Sequence, residues 1–163
     1  MSKEDCYKLS AEGKPAEQFA LERCDCLIQQ YLTWKKENHQ RSTRAQAVAL
    51  VSTAVIPVIL LLPWGSVKIV GAAFSALAAI ATGLLAINGW RENFIRYGYI
   101  YHMLQVEKFL YLAHATKEYS DDGPEKATRT KATRTFVKRI EGLVTLDVTE
   151  WRTEMQRIED RSQ

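Results

Sequence analysis

Charge is almost absent from the middle of this 163-residue chain. Between Ala45 and Trp90 the only charged residue is Lys68, whereas the flanking segments contain 21 of the 22 Lys and Arg residues and all 19 Asp and Glu residues. A soluble protein of this length would have to surround two wholly apolar helices with its remaining elements, whereas a bilayer covers such helices directly. We therefore predict an integral membrane protein.

Recognised catalytic and metal-binding motifs are also missing. His39, His102 and His114 form no HExxH motif, and the sequence has neither a Walker motif nor a GxGxxG pattern. Cys24 and Cys26 form a CxC pair without the second pair that a zinc site needs. We therefore expect no enzymatic activity, no metal and no other cofactor, and the three cysteines do not resemble a disulfide framework.

A secretory signal and a strong net charge are missing as well. The segment from Met1 to Asn38 is dense in residues of both charge signs, whereas a signal peptide has an apolar stretch after a basic start. The net charge is only +3, so we do not expect nucleic acid as a partner.

The apolar middle divides into two predicted spans, residues 45–64 and 67–90. Twenty helical residues reach about 30 Å, the thickness of the hydrocarbon core, and Pro57 predicts a kink in the first span. Basic residues precede the first span and follow the second, so the positive-inside rule places both termini in the cytoplasm. We predict a multi-pass protein of the inner (plasma) membrane, with a cytoplasmic amphipathic helix (1–44), a transmembrane hairpin (45–90) and C-terminal cytoplasmic helices (91–163).

Small residues mark a candidate contact face on the second span. They recur at four-residue spacing, at Gly71, Ser75, Ala79 and Gly83. Such a face allows close helix packing, either against Ala47, Val51 and Val55 of the first span or between subunits. With the mildly polar positions of both spans, the candidate pore or helix-packing face comprises Thr53, Pro57, Gly71, Ser75, Ala79, Thr82 and Gly83.

Apolar residues recur at helical spacing in three cytoplasmic segments, 15–43, 91–119 and 131–160. Ser120–Pro124 contains turn-forming residues that separate the last two. The predicted fold class is an all-α membrane protein, in which a two-helix transmembrane hairpin continues into a cytoplasmic helical bundle.

A basic stretch contains the sequence KATRT twice in succession, at residues 126–130 and 131–135. The candidate basic patch comprises Lys126, Arg129, Lys131, Arg134, Lys138 and Arg139. Anionic lipid, nucleic acid or a phosphorylated ligand could bind such a patch, although a solvated linker that enters a helix is the commoner explanation.

Spaced residues from about Cys24 to Trp151 carry a family resemblance. The first span contains VIPV, the second is rich in small residues, and NFIRY follows at Asn93–Tyr97. Further positions are Leu104, Glu107, Tyr119, Phe136, Ile140, Glu141 and Trp151. The chain resembles the SLATT group (SMODS and SLOG-associating two-transmembrane effector domains) and its relatives of unknown function. Phe94 stands where relatives often have tryptophan, and Asp147 where glutamate is common.

The resemblance implies a bacterial membrane effector in stress or conflict response, which perforates or depolarises the membrane when a sensor is engaged. A cytoplasmic protein or a signal ligand would then act on this chain. Because Glu107 and Asp147 lie among aromatic helices, we expect them to form structural ion pairs with Arg96 or Arg139.

Two functional hypotheses follow. One hairpin cannot enclose water, so a homo-oligomeric pore or ion channel would need a ring of subunits in the lipid bilayer. The alternative is a non-conducting membrane-anchored scaffold or adaptor that recruits a cytoplasmic partner.

Overall fold

The computed structural model describes residues 13–60, 67–120 and 125–161. They form four helices, α1 (Ala16–Leu60), α2 (Val67–Asn88), α3 (Trp90–Leu112) and α4 (Glu125–Arg161), and the described residues contain no strand. The all-α fold class is therefore confirmed. The connection between the two predicted spans and residues 121–124 of the predicted break at Ser120–Pro124 lie outside the described residues.

The chain divides into two compact units. The bundle unit comprises the residues up to Thr33 and those from Arg96 onward, and the hairpin unit comprises Trp34–Ile95. α1 is a single helix of 45 residues that contributes to both units, so the chain has no helix break at the predicted boundary between residues 44 and 45.

Three helices form the bundle unit. Contacts between α1 and α4 advance along both helices in the same direction, from Glu17 with Arg129 to Tyr31 with Asp147, so these helices are parallel. α3 is antiparallel to them, because its first residue in this unit, Arg96, contacts Asp147, whereas residues near its end contact the beginning of α4. The core contains apolar residues at helical spacing: Ala20, Cys24, Leu27, Ile28, Tyr31, Ile100, Leu104, Tyr111, Ala132, Phe136 and Ile140.

The hairpin unit contains the second part of α1, all of α2 and the beginning of α3. Its apolar side chains are largely exposed, with Leu50 71%, Ile69 76% and Ile87 83% exposed. Two stretches, within Ala16–Ile59 and Ile69–Leu112, are long and apolar enough to cross a membrane, and only 11% of each apolar window is buried. The core helix of a soluble protein would instead be mostly buried.

Backbone geometry at two positions sets helix ends that apolar spacing did not predict. Gly89 adopts a left-handed φ of 54° between α2 and α3, a conformation that glycine favours at a helix end. α3 then ends at Leu112 rather than at residue 119, and His114 follows with a φ of 48°. α4 begins at Glu125 rather than at residue 131, so the KATRT repeat is helical and is not a linker.

Candidate functional site

The small residues of α2 are not confined to the packed side of the hairpin unit. Gly71 is buried, whereas Ser75 and Ala79 are exposed. A Cβ atom added at Gly83 would meet no atom within 4 Å, so packing within the chain does not require glycine there. A four-residue step rotates about 40° beyond a full helical turn. Each further residue of the row therefore lies farther around α2 from the side on which Gly71 is buried.

A different set of residues packs within the hairpin unit. Ser52 of α1 is only 2% exposed and Ala81 of α2 only 6%, so both are buried in this unit. Ala47 and Val51, the expected partners of the small residues, are exposed, and Val55 is half-buried. The structure therefore leaves Ser75 and Ala79 available on the outer surface.

The hydroxyl groups of the candidate face are hydrogen-bonded within their own helices. Thr53 donates to the Ala49 carbonyl at 2.8 Å, and Thr82 donates to the Ala78 carbonyl at 2.8 Å. Ser75 donates likewise to Gly71, at 3.0 Å. These bonds satisfy the hydroxyl protons, so the exposed threonines are compatible with apolar surroundings.

Pro57 lies inside α1, which continues to Leu60. Proline has no N–H, so the Thr53 carbonyl receives no hydrogen bond from position 57. Both Thr53 and Pro57 are exposed. This turn of α1 therefore combines a hydroxyl with a carbonyl that lacks its helical donor, on an otherwise apolar surface.

In the bundle unit, one of the candidate ion pairs joins Arg96 to Asp147. Arg96 Nε lies 3.0 Å from Asp147 Oδ1, and the Tyr31 hydroxyl donates to Asp147 Oδ2 at 3.0 Å. The two charged side chains are only 24% and 10% exposed. Neither Arg96 Nε nor Asp147 Oδ1 has a partner with hydrogen-bond geometry, so the contact is one of charge rather than an aligned hydrogen bond.

The second pair is the centre of a larger network. Arg139 Nη1 donates to Glu107 Oε1 at 3.0 Å, and its other terminal nitrogen contacts Glu118. The buried Tyr119 hydroxyl donates to the same Glu107 oxygen. Burial raises the pKa of Tyr119, and the hydrogen bond to Glu107 raises it further. The network links α3, the segment after it and α4 through one carboxylate.

The described residues of the candidate basic patch do not form one surface. Arg129 approaches Glu17 of α1 at 3.6 Å, and Arg139 belongs to the Glu107 network. Lys131, Arg134 and Lys138 are exposed. The side chain of Lys126 lies outside the described residues.

The cysteines and the other candidate metal ligands are described only in part, because Cys6 lies outside the described residues. Within those residues, no three His, Cys, Asp or Glu side chains are grouped as a metal site requires. Burial raises the pKa of the Cys24 thiol to about 12, so Cys24 stays protonated at neutral pH. Cys26 is disulfide-bonded, which the cysteine count did not predict.

One exposed apolar surface of α3 was not identified from the sequence. Tyr99 is 56%, Val106 36% and Phe109 67% exposed. With His102 they follow steps of three and four residues, which place them on one side of the helix. The same spacing is visible in the sequence, but helical spacing alone does not show which side of α3 is packed.

Comparison with known proteins identifies a family for most of the chain. The family described as "Protein of unknown function (DUF4231)" matches residues 28–127, which are 100 of the 163 residues. These residues include all of α2 and α3 and most of α1. Searches of curated proteins and of solved structures give no significant match. The chain therefore belongs to the DUF4231 family, whose function is unknown.

Proposed function

We propose that this protein is a membrane-embedded homo-oligomer in which a ring of hairpin units forms a pore or ion channel. The main support is the position of Ala79, which lies exposed on α2, together with the open space beyond Gly83. Small residues at these positions let a second helix approach closely, and membrane helices associate through such faces.

The membrane location rests on exposure and length. Two helical stretches are long enough to span a bilayer, and their apolar side chains are largely uncovered within the described residues. The basic residues that flank the two spans support a cytoplasmic position for both termini at the inner membrane. The resemblance to SLATT effector domains supports a role in bacterial stress or conflict response by analogy alone.

The pore path would be lined by the mildly polar positions of the two helices. Thr53 and Thr82 are exposed. The Thr53 carbonyl receives no helical hydrogen bond, because Pro57 has no N–H to donate. Hydroxyl and carbonyl oxygens can replace part of the hydration shell of a permeating cation.

The subunit number tests this proposal directly. We expect the protein in lipid nanodiscs to form a closed ring of at least about four subunits by native mass spectrometry, because fewer hairpins cannot enclose water. We expect the double substitution Ala79→Leu and Gly83→Leu to reduce the ring to monomers and to abolish ion flux into liposomes.

Ala73→Leu provides the matched control. Ala73 is exposed on the same helix but lies about 120° around it from Ala79. This variant should therefore keep both the ring and the flux. A monomeric or dimeric wild-type protein, or a ring without ion flux under any voltage or pH, would contradict the pore.

A membrane-anchored scaffold is the second candidate. The exposed surface of Tyr99, Val106 and Phe109 favours it, because an apolar surface of this kind on a cytoplasmic helix indicates a protein contact. Replacing Val106 and Phe109 with serine would separate the two functions, since a scaffold would lose its cytoplasmic partner while the subunit number stayed unchanged.

A further inference from the structure

A groove in the bundle unit lies between α4 and the segment that follows α3. Its volume is about 560 Å³, and it is lined by Lys117, Glu118, Lys131, Thr135, Lys138 and Arg139. Four of the six lining residues are cationic and one is acidic. Grooves of this size accommodate small molecules.

Three of the cations have no acidic partner among the described residues. Lys117, Lys131 and Lys138 are exposed and take part in none of the ion pairs there, unlike Arg129 and Arg139. Positions 131, 135 and 138 differ by four and three residues, so they lie on one side of α4. Lys117 completes the groove from the opposite wall.

Arg139 forms a fixed part of the groove. Its guanidinium contacts Glu107 and Glu118 and lies 5.6 Å from the centroid of the Tyr119 ring. These contacts hold the side chain in one place, and the two carboxylates offset its charge. The positive charge that attracts an anion into the groove therefore comes from the three exposed lysine heads.

We propose that this groove binds a phosphate-bearing small molecule with at least two negative charges. Lys117, Lys131 and Lys138 would contact the phosphate oxygens, and the Thr135 hydroxyl would donate a further hydrogen bond. The binding would draw Lys117 toward α4 and thereby tie the segment after α3 to α4. The proposal goes beyond pore formation and holds whether or not the chain conducts ions.

The phosphate groups could reach the groove on a soluble molecule or on a lipid headgroup. The volume of the groove is that of a small-molecule site, so we assign it to a soluble ligand.

Binding of inorganic triphosphate to the full chain tests the proposal. The protein is placed in nanodiscs of phosphatidylcholine, which is zwitterionic and has no net charge, and binding is measured by isothermal titration calorimetry. We expect saturable binding that the triple variant Lys117→Gln, Lys131→Gln and Lys138→Gln weakens at least about a hundredfold, since each charged contact contributes about tenfold. The three side chains are exposed, so helix content by circular dichroism should not change.

A second triple variant with the same change in net charge is the control. Lys36, Arg44 and Arg152 are exposed and lie outside the groove, so their replacement by Gln should change the affinity less than about threefold. Equal weakening in both variants would show unspecific attraction and overturn the proposal, as would the absence of triphosphate binding.

A lipid arm distinguishes the two sources of phosphate. Vesicles that contain phosphatidylinositol 4,5-bisphosphate are offered to the same nanodisc-embedded proteins. Vesicle capture that requires the three lysines, in a protein that does not bind triphosphate, would assign the groove to a membrane surface and overturn the soluble ligand. Triphosphate binding without capture is the expected result, because the groove has the volume of a small-molecule site.

Discussion

Replacing Asp147 with Asn is expected to lower the free energy of unfolding by about 2–4 kcal/mol, measured by reversible urea denaturation in a mild detergent. Asp147 lies 3.0 Å from Arg96, and both side chains are largely buried. Removal of one partner from a buried pair leaves the other charge without compensation, which costs more than the pair contributes. Arg96 retains 24% exposure, so water recovers part of this cost.

The companion variants separate charge from packing. The asparagine side chain in Asp147→Asn would keep an oxygen that can accept the Tyr31 hydroxyl bond, so the loss should be due to the charge. Adding Arg96→Met to Asp147→Asn should restore at least about 1 kcal/mol, because no unpaired charge remains. The prediction fails when Asp147→Asn costs less than about 0.5 kcal/mol, or when the double variant is less stable than both single variants.

Tyr31→Phe should have a smaller effect in the same assay. It removes the hydrogen bond from the Tyr31 hydroxyl to Asp147, at 3.0 Å, and leaves the ring in the core. We expect a loss of about 1–2 kcal/mol, because the acceptor is charged. A loss as large as that of Asp147→Asn would show that the hydroxyl, rather than Arg96, stabilises the carboxylate.

Much of the helical fold was predictable, because the buried positions of a helix recur every three to four residues and are apolar. Tyr31, Leu104 and Phe136 each belong to an apolar row with helical spacing, and all three are buried in the bundle unit. The long uncharged stretch likewise predicted the two apolar helices, since nearly every position there avoids charge.

Helix ends were less predictable, because they depend on the backbone of single residues. The aromatic run to Tyr119 satisfied the spacing of a longer α3, yet His114 takes a left-handed φ of 48°. Tyr119 is buried for another reason, since its ring packs edge-on against Tyr111 at a centroid distance of 5.4 Å. Apolar spacing cannot separate a helical residue from one that folds back onto the same core.

Within the candidate sites, local pairs were easier to anticipate than surfaces. A charged residue among aromatic helices has few possible partners of opposite charge. In the structure Arg96 lies beside Asp147, and Arg139 lies beside Glu107. By contrast, the row of small residues on α2 gave no indication that only Gly71 would be buried. A row identifies residues on a helix, whereas the rotation of the helix in its unit decides which of them are covered.

Replacing Phe136 with Ala is expected to lower the free energy of unfolding by about 3–5 kcal/mol, the range for truncating a buried aromatic side chain. Phe136 is fully buried, and its ring stacks on Tyr111 with centroids 4.4 Å apart and an interplanar angle of 14°. The loss has three contributions: the free energy of transferring the ring from water into the core, the cost of the cavity that remains, and the energy of stacking on Tyr111. Urea denaturation in a mild detergent measures it.

Two variants on α4 decide whether this loss comes from the core. Phe136→Leu keeps most of the apolar volume and should cost less than Phe136→Ala, whereas Val148→Ala removes methyl groups from a side chain that is 48% exposed and should change stability by less than about 0.5 kcal/mol. A Phe136→Ala loss no larger than that of Val148→Ala would mean that α4 does not form part of a packed bundle. A large loss for Phe136→Ala alone would show that the apolar row around Phe136 holds α4 to the bundle. This helix is longer than α3 and contains the KATRT repeat.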